Sequence, residues 1–184
     1  MVNELYRQGV HVGVGLVALI TALVLPQKGF LILWTLVTLA YLFVISVAAG
    51  SMKWLFASLE REHVPFKGKG GLFYFLGILV TAGLFWNDII LALLLLAIPD
   101  ALATALAPLI RSPPLPYNKR KSTWGSAVFF ISASLILSVW FQQLAIFFIA
   151  FLLTALESFD YHEIPFLDDN LVIPVVAGFL LQFL

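Results

Sequence analysis

The chain has 184 residues, of which 62% are hydrophobic and 11% charged, with ten basic residues balancing ten acidic ones. A soluble domain is about half apolar and about a quarter charged, so this composition points to a polytopic membrane protein of one domain, residues 1–184. Zero net charge provides no bulk field for nucleic acid, and the lack of cysteine excludes disulfides and thiolate metal sites.

Seven apolar stretches predict membrane helices, at about 10–25, 30–49, 71–86, 89–110, 125–140, 143–157 and 171–184. The last three are short enough for one of them to be re-entrant. The opening MVNELYRQGVHVGVG lacks a small-residue cleavage signature after its apolar run, so the first helix is read as retained rather than as a signal peptide. On it, Glu4, Arg7 and His11 share one face at helical spacing. His11, a turn inside the helix, is placed to orient a phosphate or exchange a proton; the plainer alternative is an ordinary charged helix start.

The connections alternate in length. Pro26-Gln27-Lys28-Gly29, Asn87-Asp88 and Phe141-Gln142 are tight turns, which join antiparallel neighbours. The other connections are long and charged. The N-terminal segment and the long loops carry Arg7, Lys53, Arg61, Lys67, Lys69, Arg111, Lys119, Arg120 and Lys121, against Lys28 alone on the opposite side. The positive-inside rule then sets the N-terminus and long loops in the cytoplasm, and seven spans put the C-terminus outside. Within the first long loop, residues 51–63 (SMKWLFASLEREH) read either as an amphipathic interfacial helix or as an extension of the second span. The KGKGG run at 67–71 suggests a basic, glycine-loosened flap.

Asp100 lies deep in the fourth span, in IPDALATALAPLI. A carboxylate there costs roughly 2.5–3.5 kcal/mol to insert, so it is read as functional ahead of a structural partner for a buried Arg or His. Pro99 weakens the helix before it, and Asp100, Ala103, Thr104 and Ala107 form a small polar face that suits a water-filled cavity or a close helix. Asn118-Lys119-Arg120-Lys121-Ser122-Thr123-Trp124-Gly125-Ser126 runs straight into the fifth span. A helix start with hydroxyls, glycine and three cations makes an anion site; the alternative is a positive-inside anchor with a Ser cap. The last long loop holds Glu157, Asp160, Glu163, Asp168, Asp169 and Asn170. Oxygen-only ligands of this kind suit Mg²⁺, and a solvated loop ending in an Asp cap is the alternative. No phosphate-binding loop, dinucleotide fingerprint or nucleophile elbow is present, and His162-Glu163 lacks the second histidine of a zinc helix.

At these residues the chain resembles the CTP-dependent lipid kinases (polyprenol or dolichol kinase, phytol kinase and the CTP-using diacylglycerol kinase), within a wider group that includes the phosphatidate cytidylyltransferases. The likeness runs almost end to end. Glu4 to His11 looks like the family's opening Arg-and-His element, Lys69-Gly70 like its basic-Gly element, and Asp100 with Ala103 like its intramembrane Asp-x-x-Ala. Lys121-Ser122-Thr123-Trp124-Gly125-Ser126 is similar to its Lys-Ser-x-Glu-Gly-Ser, and Glu157 with Asp168-Asp169-Asn170 and Pro174 to its terminal acidic element. The chain departs at Trp124, where the family commonly has Glu, and at Ala107 and Arg111, where glycines often follow the Asp.

The resemblance implies a kinase that moves the γ-phosphate of CTP to a membrane-dissolved isoprenoid alcohol on the cytoplasmic face. It implies catalytic roles for Asp100, His11 and Arg7, and triphosphate binding by Lys69, Lys119, Arg120, Lys121, Ser122, Gly125 and Ser126. It implies Mg²⁺ held by Asp168, Asp169, Glu157 and Asn170. The alternatives are a cytidylyltransferase acting on phosphatidate or an ether-lipid analogue, and a small transporter or non-enzymatic scaffold. Clustering of the ionisable groups at one mouth argues against transport, which needs a path to both faces.

Overall fold

The computed structural model describes residues 2–48, 66, 68–161 and 164–184. The readings of 51–63 and of Lys53, Arg61, Lys67, His162 and Glu163 fall outside these residues, as does the side chain of Glu4. The described chain is all-helical. Its helices are α1 Val2–Val24, α2 Gln27–Phe43, α3 Lys69–Leu84, α4 Ile89–Leu106, α5 Thr123–Trp140, α6 Ala145–Ser158 and α7 Asp169–Leu181. A π-helical turn, Val44–Ala48, extends α2, and short 3₁₀ turns flank α4 at Trp86–Asp88 and Ala107–Leu109.

Among the described residues four segments are long and apolar enough to cross a membrane: Tyr6–Val24, Gln27–Val47, Trp86–Leu109 and Thr123–Trp140. α3, α6 and α7 are shorter apolar helices. At 1.5 Å per residue, their 16, 14 and 13 residues reach only about 20–24 Å of the roughly 30 Å hydrocarbon layer.

Most helix limits fall within a few residues of the sequence reading. The exception is α1, which starts at Val2 rather than near residue 10. Hydropathy registers where a helix turns apolar, whereas the polar first two turns are still helical and carry Arg7 at the bundle's end.

α4 is the axis of the bundle: 61% of its spanning window is buried, against 17% for α2. It separates two apolar cores. On one side Ala18, Phe30, Trp34, Ile78 and Leu93 join α1, α2 and α3 to it. On the other Leu95, Phe129, Leu153 and Ile173 join α5, α6 and α7. The tight turns make antiparallel hairpins, but packing redistributes the partners: α1 lies chiefly on α4, and α3 on α7. The α3–α7 approach depends on Gly77, where any Cβ would collide with the Asn170 carbonyl and crowd Pro174. That contact fixes the start of α7 against α3. Likewise Gly125 meets Ala107 and the Ala103 carbonyl, so part of the small face following Asp100 serves close helix approach.

Candidate functional site

All seven helices bring a residue to, or a loop beside, one cavity of about 300 Å³ at the charged end of the bundle. The starts of α1 and α3 supply Arg7, His11 and Lys69; the far end of α4 supplies Asp100; the loops before α5 and α7 supply Arg120, Lys121 and Asp168. Among the described residues, four basic side chains (Arg7, Lys69, Arg120, Lys121) and four acidic ones (Asp100, Asp160, Asp168, Asp169) line it.

Lys121 is the centre of this arrangement. Its ammonium bonds Glu157 Oε1 and lies 3.8 Å from Asp169 Oδ2 and 4.0 Å from Asp100 Oδ1. Glu157 is 2% exposed and Asp100 8% exposed, so these are desolvated charges. One cation among three carboxylates concentrates charge in a partly dry part of the cavity, where each group is costly without its partners. Asp100 Oδ1 and Glu157 Oε2 are buried with no hydrogen-bond donor.

Lys121 is held there by a folded loop. Leu115 N–H donates to the Lys121 carbonyl at 2.9 Å, and Pro114 pairs with Ser122 in an isolated bridge. Asn118, 3% exposed, donates from Nδ2 to the Ser158 carbonyl at 2.9 Å, and the Tyr117 hydroxyl pairs with Ser158 Oγ at 2.8 Å. The loop is thereby docked on the end of α6, beside Glu157. Asn118 and Ser158 were not singled out in the sequence as positioning residues. Their only signal is adjacency to charged residues.

Lys69 lines the cavity but is 2% exposed, and its ammonium donates to the Tyr161 and Ile164 carbonyls, both at 2.7 Å. It straps the α6–α7 loop to the start of α3. Asn170 caps the same corner: its amide donates to Asp168 Oδ1 at 2.8 Å. Asp168 in turn accepts from the Asn170 backbone N–H as the N-cap of α7. Burial first, and then the neighbouring Asp169 charge, push Asp168 up to about 8. Burial, with Asp169 and Asp168 adding to it, also raises Tyr161.

His11 is fixed by two contacts. Its Nε2 lies 3.3 Å from the Leu96 carbonyl, and its ring meets Tyr74 edge-on at 4.4 Å. The Tyr74 hydroxyl donates to the His11 carbonyl at 3.1 Å. Tyr74 is a third residue with little signal in the sequence, hidden as one aromatic among many in an apolar helix.

Of the expected nucleotide-binding residues, Lys69, Arg120 and Lys121 line the cavity, whereas Lys119, Ser122, Gly125 and Ser126 stand outside its wall. The first amides of α5 are satisfied within the chain. Thr123 N–H donates to the Pro113 carbonyl at 3.1 Å, Trp124 N–H to Ser112 Oγ at 3.1 Å, and Gly125 N–H to Ser122 Oγ at 3.1 Å. In this arrangement Ser122 is a helix cap, and the start of α5 presents no bare amides. Of the expected metal ligands, Asp168, Asp169 and Asn170 line the cavity and Glu157 lies beneath it against Lys121. Among the described residues no three His, Cys, Asp or Glu side chains converge tightly enough to hold a metal unaided.

Over 196 aligned residues the chain is 26% identical to the uncharacterized protein MJ1137 of Methanocaldococcus jannaschii, covering 98% of this chain and 93% of that one. No family model matches the chain, and no solved structure matches it.

Proposed function

We propose that the protein is a CTP-dependent lipid kinase that transfers the γ-phosphate of CTP to a long-chain isoprenoid alcohol, polyprenol or dolichol. In this reading all seven helices cross or enter the bilayer, the N-terminus is cytoplasmic, and the cavity opens to the cytoplasm. The observation that carries it is Lys121 set among Asp100, Glu157 and Asp169 in a cavity that Arg7 and Arg120 also line. Phosphoryl transfer asks chiefly for positioning and charge neutralisation, and this site offers both signs of charge at the level where water meets hydrocarbon.

In the reaction the alcohol oxygen forms a bond to the γ-phosphorus while the bond from that phosphorus to the β–γ bridging oxygen breaks, releasing CDP. The alcohol proton passes to Asp100, whose Oδ1 has no hydrogen-bond donor of its own. Arg7, Arg120 and Lys121 neutralise phosphate oxygens, and His11, held by Leu96 and Tyr74, braces the phosphate. The carboxylates gathered around Lys121, with Asp100 Oδ1 and Glu157 Oε2 lacking a hydrogen-bond partner, suit Mg²⁺, which typically takes one or two carboxylates plus substrate phosphates. Asp168, Asp169 and Asn170 would hold it, with Glu157 behind them, and bound there it would offset charge on the triphosphate.

The deciding experiment uses purified protein in lipid with polyprenol, phosphatidic acid and CTP labelled at either the α or the γ position. Polyprenol carrying γ label is expected. Phosphatidate carrying α label would make the protein a cytidylyltransferase, and no label in either lipid would move the reading to transport.

A further inference from the structure

The cavity has two chemistries. Above are the charged groups. Below, Val10 and Val14 of α1, Tyr41 and Val44 of the α2 segment, and Phe75 of α3 form an apolar floor. Val14 lies seven residues beyond Arg7, and Phe75 seven beyond Gly68, so the floor runs roughly 10 Å down the bundle.

This lower part faces a seam between two helices that share a turn but not a packing partner. α1 lies on α4, and α2 lies on α3. Near their common turn the two are stitched together, with Trp34 Nε1 donating to Thr21 Oγ1 at 3.0 Å. Toward the cavity the α1 rim looks outward: Val10 lines the cavity yet is 37% exposed. Across from it Tyr41 and Val44 line the cavity and are half-buried, where the helix passes into its π-turn. The back wall is firm: Tyr41 meets Phe75 edge-on at 5.2 Å and donates to the Gly68 carbonyl at 3.1 Å.

We infer that the seam between α1 and the end of α2 is a lateral portal, through which the single apolar chain of a bilayer-dissolved isoprenoid alcohol lies while its hydroxyl reaches Asp100. The identity of the occupant rests on the kinase reading. Continuity argues for it: one cavity joins an aliphatic slot on the lipid side to the carboxylates on the water side, so an amphiphile with one polar end fits it lengthwise.

The test uses the full chain in proteoliposomes and a polyprenol bearing a diazirine in the isoprene unit next to the hydroxyl. Cross-links are expected on peptides covering 9–17 and 41–47, displaced by excess polyprenol and not by diacylglycerol. Labelling confined to the lipid faces of α5 or α6, or displacement by diacylglycerol alone, overturns the portal. Val10→Trp supplies a second readout: the ratio of kcat/KM for a long-chain alcohol to that for a two-unit prenol should fall by about tenfold, the size of losing one good apolar contact. Val139→Trp, on the exposed face of α5, should leave that ratio at the wild-type value. Equal loss with both acceptors in Val10→Trp overturns the portal. If phosphate transfer proceeds while cross-links fall elsewhere, the portal fails and the kinase stands. If no alcohol is phosphorylated but polyprenol still competes at 9–17 and 41–47, the kinase reading fails and the portal stands.

Discussion

At the end of the bundle where α1 turns into α2 and α5 into α6, the contacts are apolar or neutral. Phe85 packs against Phe179 at 6.4 Å and crowds Gly178, Gln27 donates to the Ala82 carbonyl, and Gln143 reaches the Leu184 carbonyl. At the other end Lys121 meets three carboxylates, and Lys69 is committed to two carbonyls. The first end uses contacts that tolerate a dry environment. The second concentrates charge of both signs in a partly dry setting. Stability of the bundle and chemistry of the cavity are therefore separable by mutation.

Lys121→Ala should be the largest break. It strands Glu157 beside Asp100 and Asp169, and removing one partner of a buried pair costs about 3–5 kcal/mol, read as a lower unfolding midpoint together with loss of phosphate transfer. Lys121→Met with Glu157→Gln should recover most of the midpoint while leaving activity absent; recovery of both would show that Lys121 is structural. Asp100→Asn should lower kcat by roughly 10²–10⁴-fold at near-normal stability, and full activity in a lipid-supplemented assay would remove Asp100 from catalysis. Gly77→Val should cost about 1–3 kcal/mol through overpacking of α3 on α7, and it should weaken the cavity as well, because the Asn170 carbonyl it strikes belongs to the α7 start. At the quiet end Gln27→Ala should cost only about 1 kcal/mol and leave kcat unchanged.

The charged end should also respond to pH. The ordinary Asp value is 3.8, and Asp168 is pushed up to about 8, so across that interval the folded chain holds a proton that the unfolded chain has released. Folding then binds protons, and stability should fall as pH rises from about 4 to about 8 and level off beyond. Unfolding midpoints measured across that range should show the slope, and Asp168→Asn should flatten it. A slope that persists in Asp168→Asn would assign it to another group.

Much of the plan is legible in the sequence because membrane helices declare themselves by length and apolarity, and because charge cannot hide in them. Asp100 stands out within IPDALATAL for that reason, and the one-sided distribution of Lys and Arg marks the end where the cavity forms. What is not legible is which cation meets which carboxylate. Lys119, Arg120 and Lys121 are equivalent in sequence. The turn fixed by Asn118 and Ser158 directs Lys121 in among the carboxylates and sets Arg120 on the cavity wall, leaving Lys119 on the surface. The Ser-x-x-Gly of Ser122 and Gly125 reads equally as an anion cradle or a cap, and the contacts of Ser112 and Pro113 with the α5 amides produce the cap. Lys69 similarly reads as a phosphate ligand until the loop it straps, far along the chain, is seen.

That strap has a consequence for biogenesis. Lys69 leaves the ribosome long before Tyr161 and Ile164, the carbonyls that satisfy its ammonium. A nascent chain halted after α5 would carry Lys69 at the start of α3 without its acceptors, and would lack Glu157 to meet Lys121. Such intermediates hold polar groups that have no partners yet in the growing bundle, and an insertion chaperone or quality-control protease could recognise them by that feature. Completion of the α6–α7 loop removes the signal and finishes the cavity in the same event, so a truncated chain would be both inactive and conspicuous.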